Sequence, residues 1–157
     1  MPPIIELPDL TEALGVVIRL TLAAVLGGFL GYERERLGKA AGLRTHMLVS
    51  MGSALFVVAA LQAGAAAGDV TRVVQGIATG IGFVGAGAIL KQAEGDHFAV
   101  TGLTTASTVW ITAGVGMAVG FGQLWLPVVG TALGLVILIV LGRYEARLRA
   151  TSGPHRG

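Results

Sequence analysis

The chain has 157 residues, 54% of them apolar and only 13% charged, with 25 glycines and a formal charge of +2. That balance excludes an ordinary soluble domain and describes a membrane protein. The lack of cysteine excludes disulfides, thiolate metal sites and thiol nucleophiles, and the few cations cluster at segment ends, where they set orientation in a bilayer and do not form a nucleic-acid-binding face.

The N-terminal stretch MPPIIELPDLTEALG carries Glu6, Asp9 and Glu12 but no Lys or Arg. It therefore lacks the basic start of a cleavable signal peptide, and the first apolar segment is expected to stay in the mature protein. A bilayer core about 30 Å thick takes roughly 20 apolar helical residues to cross. Five stretches come near that length: Ala13 to Tyr32, Met47 to Ala67, Val73 to Leu90, Thr104 to Phe121, and Leu124 to Leu141. The last four hold no charged residue, and the first holds only Arg19. The expected fold is an all-α membrane protein, a single polytopic bundle of about five transmembrane helices. Residues 1–12 form an outer tail, 13–142 the transmembrane domain, and 143–157 a basic cytoplasmic tail.

Short loops rich in Lys and Arg stay on the cytoplasmic side. The connector from Glu33 to His46, Lys91 and the C-terminal tail together place nine cations on one side, against Arg72 alone on the other. The expectation is N-out, C-in, with Tyr32 and Tyr144 at the inner interface and Trp125 at the outer one.

Transmembrane helices adhere through small residues that let backbones approach. Gly27 and Gly31 supply such a stripe on the first helix. Gly76, Gly80, Gly82, Gly85 and Gly87 supply it on the third, and the fourth offers small residues around Trp110. These are packing surfaces or places where a backbone meets a partner, and self-association, with a dimer favoured, follows from either.

Three places carry the remaining chemistry. In GYERERLGKAAGLRTH, Glu33 and Arg36 are three apart, placed to pair on a last helical turn. Arg34 adds a further cation, and Arg44, Thr45 and His46 open the second helix. The stretch reads either as an anchor on anionic headgroups or as a specific contact surface. Thr104 and Thr105, with Ser107 and Thr108, enter the fourth helix from the same side, where free N–H groups and the positive dipole end favour anions. With Arg44 and His46 they make an anion site, for example for a lipid phosphate, or else serve as caps and interhelical hydrogen bonds. Arg19 lies about 10 Å below the outer interface at 1.5 Å per residue. A cation at that depth marks a pair or a pathway, and Asp69 and Glu12 are its expected partners.

GYERERLGKAAGLRTHMLVSMGSALF, GIGFVGAGAIL and VTGLTTASTVWITAGVGMAVGFG resemble the three signature blocks of the MgtC/SapB family of bacterial inner-membrane proteins, over Leu14 to Leu141. The resemblance implies a multi-pass helical domain of the bacterial inner membrane, adaptation to low magnesium, survival inside host cells, and contact with membrane machinery such as the ATP synthase. Many members add a soluble ACT-like domain, which is not expected here. The usual Asp-Pro-x-Arg before the third block reads Asp69-Val70-Thr71-Arg72.

No metal site, cofactor or catalytic residue is expected. Mg2+ takes hard oxygen ligands, commonly carboxylates, and the expected bundle interior holds none. A non-enzymatic protein that binds membrane lipids and another membrane protein fits these residues best, with a Mg2+ or small-solute transporter as the alternative.

Overall fold

Six α-helices and one β-hairpin follow one another in the computed structural model, which describes residues 8–94 and 97–151. Parts of both expected tails, including Glu6 and Arg156, lie outside the described residues. The elements are α1 (Leu10–Arg36), α2 (Leu43–Gln62), α3 (Ala67–Gly87), β1 (Leu90–Glu94), β2 (His97–Thr101), α4 (Leu103–Gly120), α5 (Trp125–Val136) and α6 (Gly142–Thr151). A π-helical stretch, Ile137–Leu141, joins α5 to α6 without a break.

α1 runs past both ends of its apolar run, whereas α2 and α3 start before theirs and stop short of the expected ends, at Gln62 instead of Ala67 and at Gly87 instead of Leu90, which lies in β1. Hydropathy marks only what must sit in hydrocarbon, whereas the helix goes on until its backbone is capped. At its start, the Asp9 carboxylate accepts the Glu12 N–H at 2.7 Å. At their ends, α1, α2 and α4 each turn through a left-handed glycine, Gly38, Gly64 and Gly122. The amide two residues beyond each C-cap bonds back to the last turn, for example Lys39 N–H to the Arg34 carbonyl at 3.1 Å.

The large apolar side chains point outward. Val17, Ile18, Phe29, Phe56, Phe83, Trp110, Leu124 and Ile137 are all more than half exposed, while His46, Ser50, Thr105, Thr108 and Thr112 are buried. A soluble protein would not leave so much apolar surface in water; a bilayer accepts it, provided backbone groups are paired within helices. The chain is a membrane protein. α1, α2, α4 and the continuous segment Trp125–Leu148 are each long and apolar enough to cross a membrane. α3 has 21 residues but begins six residues before the apolar run, so Asp69 and Arg72 lie in its opening turns and not in a connector.

α4 is the central helix: it packs against α1, α2, α3 and α5, and α1 also packs closely on α2. α1 meets α2 at Gly27 and Gly31, where an added Cβ would come within 2.6 Å of the His46 carbonyl oxygen and 2.8 Å of the His46 Cβ. α4 meets α2 at Gly116, against the Ser50 backbone, and at Gly120, against Ala54 and Val57.

The hairpin was not expected. β1 and β2 pair antiparallel from Leu90 opposite Thr101 to Glu94 opposite His97, in a stretch read as a connector after the third apolar run. Its strands are too short and too weakly alternating to announce themselves. The hairpin tightens the link between α3 and α4, because Gly102, at φ 90°, packs its Cα against the Ala88 carbonyl.

Candidate functional site

The end of the bundle that holds the α1–α2 turn gathers most of the charge. Arg34, on the last turn of α1, is buried at 4% exposure and donates from Nε to the neighbouring Glu33 carboxylate. A guanidinium taken out of water needs its counter-charge beside it. The expected Glu33–Arg36 pair is therefore not formed: Glu33 is held by Arg34, and Arg36 stacks over the Tyr32 ring, 5.9 Å from its centroid.

Glu35, which the sequence pattern did not single out, closes the turn. Its Oε2 accepts the Leu43 N–H at 2.7 Å, capping α2 where the N-cap residue Gly42 has no side chain to do so. A cap delivered from eight residues upstream has no local signature, which is why the spacing did not reveal it. One turn into α2, the His46 ring Nδ1 donates to the Gly42 carbonyl at 2.9 Å. The "AGLRTH" segment is thus a closed structural turn. His46 points into the bundle, Arg44 is exposed, and Thr45 lies between.

Behind this turn lies a polar half-core. His46, Ser50 and Ser53 of α2 are buried, as are Thr105, Thr108 and Thr112 of α4. The Thr108 and Thr112 hydroxyls donate to carbonyls one turn back, Thr104 O at 2.6 Å and Thr108 O at 2.7 Å. Ser107 does the same to Leu103 O at 3.0 Å. Such back-bonding satisfies a hydroxyl inside a membrane helix without an external partner. Among the described residues, His46 Nε2, Ser50 Oγ and Thr131 Oγ1 are buried without a hydrogen bond.

The anion site expected from Thr104, Thr105, Arg44 and His46 is not assembled. Ser50 lies beside Gly116, and Ala54 and Val57 lie beside Gly120, so α2 and α4 run parallel. That register sets Thr112 level with His46 and leaves Thr104 eight residues, about 12 Å, nearer the helix start. Thr104 is exposed there and Thr105 buried, and the N-cap residue of α4, Gly102, supplies no side-chain cap.

Past Ser53 the α2 side of the core turns apolar. Ala23, Leu26, Ala54, Val115 and Val119 form one buried cluster, with Leu20 and Leu22 packed on it.

Arg19 belongs to the opposite end. Its Nη1 donates to the Gly120 carbonyl at 3.3 Å, and the guanidinium lies against Gly122. The expected partners are engaged elsewhere: Asp69 faces Arg72 at 3.9 Å on α3, and Glu12 accepts from Gln62 at 3.0 Å. The physical reason is that α4 ends beside Arg19, and the carbonyls of a helix C-terminus, at the negative end of its dipole, suit a cation. Asp69 has moved onto the exposed first turn of α3. We expect Arg19→Met to cost about 1–2 kcal/mol, seen as a modest drop in the melting temperature of detergent-purified protein. Arg19→Lys is expected to retain most of it.

Of the glycines expected to pack, Gly27 and Gly31 do so tightly, and at Gly85 an added Cβ would come within 3.5 Å of Ala106. Gly76, Gly80, Gly82 and Gly87 face open space, and Trp110 is 58% exposed on the outer side of α4. The sequence reading missed Gly116 and Gly120, the tightest contacts of α4 with α2.

The MgtC family profile matches residues 20–147. The protein SrpB of Synechococcus elongatus is 46% identical over 134 residues, which cover 80% of this chain and 74% of SrpB. The Escherichia coli K12 protein named "Putative magnesium transporter YhiD" is 40% identical over 84% of this chain and 63% of its own length. The protein MgtC of Brucella abortus is 42% identical over 76% of this chain and 48% of its own. This chain thus spans less than two thirds of YhiD and about half of MgtC. No solved structure gives a significant match. The family profile spans both glycine crossings, the buried Arg34 and the polar half-core, and with relatives 46% and 42% identical on top of it this chain belongs to the MgtC family.

Proposed function

We propose that this chain is a multi-pass protein of the bacterial inner membrane, oriented N-out and C-in, that serves adaptation to low magnesium without catalysing a reaction. It acts by binding another membrane protein through the end of the bundle formed by the α1–α2 turn and the β-hairpin. The observation that carries this reading is the division of the core. The polar residues from Arg34 to Ser53 occupy one half, and the buried cluster of Ala23, Leu26, Ala54, Val115 and Val119 closes the other. Among the described residues the buried apolar cluster offers a hydrated ion few polar groups to follow through a single copy, and Mg2+ gives up its waters reluctantly. Among the described residues no three His, Asp or Glu side chains converge on a common point.

The exposed Arg36 and Arg44 and the half-buried Thr45 are the natural contact residues of that end. They face anionic headgroups or an acidic surface of a membrane machine such as the ATP synthase, the partner class that the family resemblance implies. A role in survival inside host cells belongs to the same resemblance.

Magnesium transport is the second reading, favoured by the name of the YhiD relative. Purified protein in sealed vesicles, assayed for Mg2+ entry, separates the two. The expected result is no saturable flux above empty vesicles. In cells lacking the native protein, Arg36→Glu with Arg44→Glu is expected to abolish growth support at low magnesium and co-purification of the partner, while lowering the melting temperature only slightly through loss of the Arg36–Tyr32 stack. Saturable Mg2+ flux that falls on Arg19 or Asp69 substitution would overturn the binding reading.

A further inference from the structure

The outward face of α3 does not suit lipid. Asp69, Arg72, Gln75 and Thr79 are all exposed along it, with Gly76 and Gly80 on its edge toward α2 and Phe83 at 84% exposure further along. α3 is packed between α2 and α4 yet is not among the helices apolar enough to span a membrane alone, and the reason is this face. Inside a bilayer, the amide of Gln75 and the hydroxyl of Thr79 find no hydrogen-bonding partner among acyl chains. Polar side chains at that depth normally face another helix.

From this face we infer that α3 is the homodimer interface, with a second copy of the chain as its occupant. Two copies in one membrane with the same orientation are related by a two-fold axis along the bilayer normal, so their α3 helices run parallel and present the same residues to each other. The face is complementary to itself. It carries one carboxylate and one guanidinium, Asp69 and Arg72, 84% and 62% exposed for Arg72 and Asp69 and only loosely paired within the chain at 3.9 Å. Each Arg72 can turn to the partner's side to meet a second carboxylate. Gln75 brings both donors and an acceptor, and Thr79 a hydroxyl that does either. An added Cβ at Gly76 or Gly80 would meet nothing within 4 Å; the two glycines border this face where it opens into the groove between α3 and α2, and there they leave room for a partner's backbone to close up. This inference does not depend on how the other end of the bundle binds a partner.

The chain contains no cysteine, so single cysteines report proximity cleanly. In native membranes, Thr79→Cys is expected to oxidise to a covalent dimer, whereas Val17→Cys, exposed on α1, is expected to stay monomeric. Equal cross-linking at both positions, or a Thr79→Cys product containing a different protein, would overturn the assignment. In detergent, Gly76→Leu with Gly80→Leu is expected to shift the mass from dimer to monomer while helical content stays unchanged, since one copy has room for both side chains. A dimer that survives this change, or a wild-type chain that is monomeric throughout, would equally overturn it. Asp69→Arg alone is expected to weaken dimerisation about tenfold, the loss of two modest charge pairs, and adding Arg72→Asp is expected to restore it. Because dimerisation is what is measured, rescue by the swap is the result expected when the two residues meet across the two-fold axis, and failure of that rescue counts against the two-fold pairing.

Discussion

Gly116→Val is expected to prevent the bundle from assembling, whereas Gly114→Val, two residues away, is expected to leave it intact. At Gly116 even a Cβ would overlap the carbonyl of Ser50, and its nearest neighbours are all backbone atoms of α2. A flexible side chain can step aside; a helix backbone moves only as a unit. Typical overpacking costs about 1–3 kcal/mol, and a clash that forces two central helices apart belongs at or above the top of that range. For a domain of this size that is roughly 10 °C in melting temperature, or loss of monodisperse protein altogether. Gly114 has nothing within 4 Å of its would-be Cβ, so the same chemical change there tests nothing but lipid contact. The check is a paired thermal melt in detergent. Equal melting temperatures for the two variants would show that α4 does not cross α2 at Gly116.

This pair of glycines also shows where the sequence stops being legible. Both sit in the same helix of a chain with 25 glycines, and spacing alone cannot say which of them faces a neighbour. Gly27 and Gly31 were readable because their stripe adjoins the charged turn that fixes where α1 ends. Gly116 needed the register of α4 against α2. The spans themselves were readable because hydrocarbon demands a run of apolar residues whatever the tertiary context. Their ends were not: helix caps such as Glu35 on Leu43 come from residues distant along the chain, and so α1, α2 and α3 all start or finish outside the apolar runs.

Arg19 shows the same limit for charge. Its depth in the first helix demands a partner, and a sequence can point only to a carboxylate, because only side chains are visible in it. The partner is a main-chain carbonyl, Gly120 O, that exists only once α4 has ended beside it. The β-hairpin went unseen for a related reason, since its pairing is between backbones and its side-chain pattern is weak.

The second large effect is expected at Glu33 and Arg34. Arg34→Met should destabilise the protein by about 3–5 kcal/mol, because the substitution leaves the Glu33 carboxylate half of a broken pair, with its side chain only 14% exposed. Replacing both partners, Glu33→Gln with Arg34→Met, is expected to recover most of that loss, since two neutral groups of similar size need no counter-charge. The melting temperatures of wild type, both single variants and the double variant give the coupling directly. The double variant then asks a question stability alone cannot. On the proposed function, if the pair serves only to hold the α1–α2 turn, the recovered protein is expected to support growth at low magnesium as well as wild type does. If the buried guanidinium is read by a partner, growth support stays lost in a protein that melts normally. An additive cycle, with the double variant as unstable as the sum of the singles, would mean that Arg34 owes its buried position to packing of its aliphatic stem and not to Glu33.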